Sequence, residues 1–163
     1  MISRRGRFLI LFFVLLVAFE VPLLLRPVDE HLVQPFTRGI AVVSSVLLNG
    51  FGQGTTVSGS TILGRCFSVN INNGCNGLEA TLFLLAAVLA FPATVRQKSI
   101  AALAGVGLIQ LVNLVRVVSL FLIGCYRRDW FDAMHLAIWQ TVVFAVAIFY
   151  FAYWTRRATP DAA

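Results

Sequence analysis

The chain has 163 residues, 59% of them hydrophobic. Soluble domains average about 45–50% apolar residues, so this composition excludes an ordinary soluble enzyme and points to an integral membrane protein with no separate soluble catalytic domain. The balance of 13 Lys+Arg against 7 Asp+Glu gives +6, but the basic residues cluster at the ends of apolar runs, which signals topology and speaks against a nucleic-acid partner.

The first apolar run, residues 8–25 (FLILFFVLLVAFEVPLLL), follows the basic stretch MISRRGR. Pro22, Arg26 and Pro27 stand where a signal peptide would carry its small-residue cleavage site, so the run reads as an uncleaved first transmembrane helix. Residues 26–76 form an external segment. Its stretch 34–48 (QPFTRGIAVVSSVLL) predicts a helix lying along the outer interface or dipping into it, too short for a span of its own. Between residues 55 and 73, the alternating T-V-S and F-S-V-N-I-N stretches, set among Gly54, Gly59 and Gly64, predict a short β-hairpin. Residues 77–93 read as the second span, 99–124 as the third and 135–154 as the fourth. At about 1.5 Å per residue, each approaches the roughly 30 Å of a hydrocarbon core. The expected fold class is an all-α integral membrane bundle of about four transmembrane helices, a single membrane domain over residues 1–163.

Arg4, Arg5 and Arg7 precede the first span, Arg96 and Lys98 join the second to the third, and Arg156 and Arg157 follow the fourth. With an even number of spans these clusters share one side, which the positive-inside rule makes cytoplasmic. Both termini are then inside, with residues 26–76 and the third-to-fourth connection outside.

This topology brings three reactive side chains to the outer face. Cys75 lies at the outer start of the second span, where the positive end of a helix dipole favours a thiolate. Gly74 and Gly77 permit a tight turn beside it. In an oxidising compartment Cys75 could instead pair with Cys66; a Cys66–Cys125 bridge leaving Cys75 free is the other arrangement. Arg116 is the one charge in an otherwise apolar run from Ser99 to Tyr126. A central Arg costs about 2.5–3.5 kcal/mol on insertion scales, so an intramembrane Arg marks a functional site by default. Its long side chain can snorkel outward, Asn113 shares its helix face, and Glu79 is the acid available for a structural ion pair. His135 heads the fourth span and is the side chain suited to move protons near neutral pH. The spaced ligand pairs of a zinc site are missing, so no metal and no cofactor are expected, and no H-E-x-x-H, G-x-S-x-G, P-loop or paired-aspartate pattern is present.

The ordered set C-x-G at Cys75–Gly77, N-x-x-R at Asn113–Arg116 and His135 at the head of the last span resembles the exosortase/archaeosortase family of polytopic membrane transpeptidases. The likeness covers roughly residues 73–154, and the small size is similar to compact members such as exosortase H. Two departures stand out: a single span precedes the core, and Asn76 replaces the small residue often found within C-x-G. The resemblance implies catalytic roles for Cys75, Arg116 and His135, with Asn113 and Glu79 behind them. It also implies a bacterial inner-membrane location amid lipid, with the active site on the periplasmic face. The substrates would be secreted proteins whose C-terminal sorting signal combines a short motif, one transmembrane helix and a basic cluster. They would be cleaved through a Cys thioester.

Two other classes compete. A non-enzymatic membrane assembly protein would hold Cys75 in a disulfide and pair Arg116 with Glu79. A small transporter would need a polar path through the bilayer. Glu20, Gln110 and Gln140 supply some polar groups, but neither repeats nor broken helix pairs are visible.

Overall fold

The computed structural model describes residues 3–158. It contains five apolar helices and one small sheet. Helix α1 (Arg4–Leu24) is followed at once by α2 (Arg26–Gly50). Strands β1 (Thr56–Ser58), β2 (Thr61–Leu63) and β3 (Ser68–Asn70) come next, then helices α3 (Leu78–Ala90) and α4 (Val95–Tyr126), and finally α5 (Arg128–Thr155). Four of these helices, α1, α2, α4 and α5, are long and apolar enough to cross a membrane, whereas α3 has 13 residues. The all-α membrane bundle expected from the sequence is present, but its long helices are not all the expected ones: residues 34–48, read as too short to span, belong to the 25-residue α2, and the expected second span, 77–93, holds the short α3.

Helix α4 is the spine. Its 32 residues rise about 48 Å, and it starts at a capping box in which the Thr94 side chain accepts from Gln97 N–H. Its first half is wrapped by helices. Ala101 and Ile109 pack with Ala80, Leu84 and Val88 of α3 and with Val143 and Ala147 of α5. Two side chains tie that end together: Lys98 Nζ donates to Leu89 O at 2.8 Å, and Tyr150 Oη donates to Ala101 O at 2.7 Å. Helix α1 closes this half through Phe12 against Phe83 and Phe8 against Phe91 and Phe151. None of the α1 residues from Arg4 to Glu20 is buried. Such a continuous apolar surface on one helix suits lipid rather than water.

The second half of α4 carries a different layer. Val117 and Phe121 pack with Ile40, Ala41 and Leu48 of α2 and with Ile62, Val69 and Ile71 of the sheet. A Cys66–Cys125 disulfide fastens the β2–β3 loop to the end of α4. Gly124 lets the Phe67 ring lie directly on the α4 backbone, because a Cβ there would overlap that ring. The segment read as a hairpin is a three-stranded antiparallel sheet in the order β1-β2-β3. The T-V-S and S-V-N strands do not pair with each other. The T-I-L strand inserts between them, with Val57 opposite Ile62 and Ile62 opposite Val69.

Candidate active site

Cys75 lies in the turn that links the sheet to α3. Asn72 O accepts from Cys75 N–H at 3.0 Å, and Glu79 Oε1 accepts from Gly74 N–H at 2.6 Å, so the first turn of α3 reaches back to hold the cysteine turn. Gly77 has φ +76°, and a Cβ there would stand 3.0 Å from Asn113 Cγ. The glycine of C-x-G thus meets both a backbone and a packing requirement, and its packing partner is the asparagine of N-x-x-R. Asn76 is fully buried. Its Nδ2 donates to Thr37 Oγ1 of α2 at 2.9 Å and its Oδ1 accepts from Leu78 N–H at 3.0 Å. Larger than the residue expected there, Asn76 bolts the start of α3 to α2.

The three side chains expected at one depth meet. Cys75 Sγ lies 2.9 Å from His135 Nε2, and Arg116 Nη2 lies 3.5 Å from the same sulfur and 3.5 Å from His135 O. Cys75 is the free cysteine, since Cys66 and Cys125 are bonded to each other. His135 sits on a wide π-helical turn, Met134–Ile138, within α5 rather than at the head of a helix. Such turns are rare and concentrate at functional sites. Phe131, one turn earlier, stacks on the imidazole with centroids 5.6 Å apart. No described residue hydrogen-bonds His135 Nδ1, so the pair is a dyad rather than a triad.

Arg116 differs from expectation in two ways. It is 2% exposed and turned inward to the sulfur, not snorkelled to the surface. It also makes no ion pair with Glu79: among the described residues the ion pairs are Arg26–Glu30 and Arg127–Asp129. Glu79 is engaged instead by Gly74 N–H. The Glu79 carboxylate is thus near Arg116 but beyond ion-pair distance, so its charge compensates the buried guanidinium only in part. Here the group facing it is a thiol.

Burial pushes the Cys75 thiol above its usual value, more than the neighbouring Arg116 charge pulls it down, and Glu79 adds to the rise. The helix-dipole argument for a lowered value is thereby overruled by desolvation. Asn113 is fully buried, and neither its Oδ1 nor its Nδ2 has a hydrogen-bond partner among the described residues. Gln110, not singled out from the sequence as a site residue, donates to Thr81 Oγ1 at 3.0 Å and reaches Gly77 O at 3.4 Å. Its signal was its position one helical turn before Asn113. Thr37 gave no such signal, because its partner lies 39 residues away. Among the described residues no cluster of three or more His, Cys, Asp or Glu side chains could hold a metal.

The protein is thus a helical bundle with four helices able to cross a membrane, and a free cysteine, a histidine and a buried arginine converge at one end of it. Residues 1–153 match the family model described as transmembrane exosortase, and the chain belongs to that family. Membership supports a membrane transpeptidase-like role in general. The chain matches no curated protein and no solved structure.

Proposed function

We propose that the protein is a cysteine transpeptidase or protease of the bacterial inner membrane, acting on secreted proteins that carry a C-terminal sorting signal. The observation that carries this reading is the 2.9 Å approach of Cys75 Sγ to His135 Nε2 beneath Arg116. Geometry of this kind, a nucleophile within hydrogen-bond reach of a base, is what covalent catalysis requires. The family match supplies the class of substrate.

The chemistry runs in two halves. The thiol gives its proton to His135 Nε2 as the sulfur attacks the scissile carbonyl carbon. The resulting oxyanion faces Arg116, a guanidinium that makes no direct ion pair of its own, in a site where low dielectric strengthens the attraction. Collapse breaks the C–N bond, and the imidazolium returns its proton to the departing amine. A thioester between Cys75 and the new C-terminal acyl group remains. An incoming amine or water, deprotonated by His135, attacks it and regenerates the thiol. Asn113 and Glu79 act behind these groups. Glu79 fixes the cysteine turn through Gly74, and Asn113 packs under Gly77 beside the reacting centre.

The sheet and the outer half of α4 would lie on the periplasmic face, with both termini cytoplasmic. The Cys66–Cys125 disulfide supports this side as the oxidising one, and the basic clusters at Arg4–Arg7, Arg96–Lys98 and Arg156–Arg157 support the other as cytoplasmic. Helix α2, packed on the sheet rather than within the helical half, would rest at the outer interface.

The test is co-expression with a tagged secreted reporter ending in a sorting signal of the host. Cys75→Ala should leave the reporter uncleaved while the membrane protein accumulates normally, a loss of at least about a thousandfold. Processing by this variant at the wild-type rate would refute the reading.

A further inference from the structure

The site opens into a cavity of about 260 Å³ whose walls include Ser68, Asn70, Cys75, Leu120, Phe131 and His135. One wall of this cavity is therefore the edge strand of the sheet. β3 pairs with β2 on one side only. Ile71 N–H donates to Ser60 O and Gly64 N–H donates to Phe67 O, both at 3.0 Å. In an antiparallel ladder the bonded positions alternate, so Phe67, Val69 and Ile71 turn their backbone groups toward β2. Ser68 and Asn70 turn theirs away, toward the cavity. No described residue bonds the main-chain N–H or C=O of Ser68 or Asn70.

Unpaired strand edges invite pairing with another chain, and proteins normally cover, bulge or charge them. This edge is neither covered nor charged, and it leads directly to the nucleophile, since only four residues lie between Asn70 and Cys75. The rest of the lining is largely apolar, with Val117 and Leu120 of α4 and Phe131 of α5. A slot with free backbone donors and acceptors along one edge and a largely apolar lining elsewhere fits an extended peptide, read by its main chain and by alternate side chains.

Resting on the catalytic role given to Cys75, we infer that the substrate segment on the N-terminal side of the scissile bond binds as a fourth strand along β3. The added strand runs parallel to β3. β3 leads from the disulfide end of α4 down toward Cys75, and a substrate whose transmembrane helix follows the cut must descend in the same sense. Ser68 and Asn70 present the two outward N–H groups, and the Leu120–Phe131 wall receives side chains from alternate substrate positions.

The test uses purified full-length protein in lipid nanodiscs and two alkylating probes. Each forms a bond from Cys75 Sγ to a methylene carbon with loss of chloride. Chloroacetone is the smallest chloromethyl ketone and reads thiol reactivity alone. Acetyl-Ala-Ala-Ala-chloromethyl ketone adds three residues on the N-terminal side of the reacting carbonyl. The tripeptide reagent should alkylate Cys75 faster than chloroacetone. N-methylation of one alternate amide in it should slow the reaction roughly fivefold, about the worth of one net hydrogen bond, while N-methylation of the next amide leaves the rate unchanged. Ser68→Pro and Asn70→Pro, at positions outside the β2 ladder, should slow the tripeptide reagent and not chloroacetone. A tripeptide reagent no faster than chloroacetone, or one indifferent to N-methylation at every amide, would overturn edge-strand binding while leaving Cys75 a reactive thiol. Failure of Cys75 to react with either probe would overturn the catalytic reading and this inference with it.

Discussion

The two halves of α4 are built on different principles. From Val95 to about Ile109 the helix is held by other helices, through alanine, leucine and valine contacts and an aromatic collar from α1. From Asn113 to Tyr126 it is held by α2 together with a sheet, a disulfide and buried polar side chains. In lipid no hydrophobic force pulls helices together, so the first half relies mainly on close packing, with the Lys98 and Tyr150 hydrogen bonds to main-chain carbonyls added to it. The second half relies on specific bonds, and those bonds also fix the positions of Cys75, Arg116 and His135. Chemistry is placed where the structure is polar and cross-linked, and anchorage where it is apolar and interchangeable.

Three measurements would sharpen or break this division. The largest effect belongs to Arg116. Arg116→Ala should lower reporter processing by roughly a hundred- to a thousandfold, the usual loss when one oxyanion donor is removed. Arg116→Lys should retain more activity than Ala, since the charge survives and the fork does not. Equal processing in both variants and the wild type would remove Arg116 from the chemistry. Next comes a pair of destabilising changes, one in each half. Cys66→Ser with Cys125→Ser opens a link across 59 residues and should cost about 2–4 kcal/mol. Leu84→Ala, in the helical half, should cost about 2 kcal/mol through lost packing. Thermal unfolding in detergent would show both losses. Only the disulfide variant should also change the rate at which iodoacetamide alkylates Cys75, the free thiol, and an equal change from Leu84→Ala would mean the halves are coupled. The smallest effect is in pH. Because burial raises the Cys75 thiol, less thiolate is present at neutral pH than for a free cysteine. Alkylation should therefore climb with pH through a midpoint above that of a small-molecule thiol. A midpoint below it would mean that Arg116 outweighs desolvation.

Much of the site could be read from the chain because charge and hydropathy encode depth. Arg4–Arg7, Arg96, Lys98, Arg156 and Arg157 were enough to place Cys75, Arg116 and His135 at one level, and those three side chains lie within 3.5 Å of their neighbours in the cluster. The features that escaped are those set by tertiary contacts. Residues 61–63 gave a strand only because they fill the gap between two others. Glu79 looked like the partner of Arg116 by helical spacing, but the nearer Gly74 N–H claims it. Desolvation of Cys75 is a property of everything around it, which no local dipole argument contains. The 13-residue length of α3 reflects Phe91, where the backbone turns extended at φ −71°, ψ 137°, just before Pro92. The residue before a proline disfavours helix, and the proline was in plain view.

The wide turn at Met134–Ile138 separates two registers along α5. Beyond it, Val143, Ala147 and Tyr150 keep the α-helical spacing that fits α3 and α4. Before it, His135 and Phe131 are aimed at Cys75. A π-helical turn holds one residue more than an α-helical one. The surplus residue is taken up within that one widened turn, so the helix beyond it keeps its bearing on α3 and α4. The imidazole is set toward Cys75 by a local bulge, and the bundle that carries it need not shift.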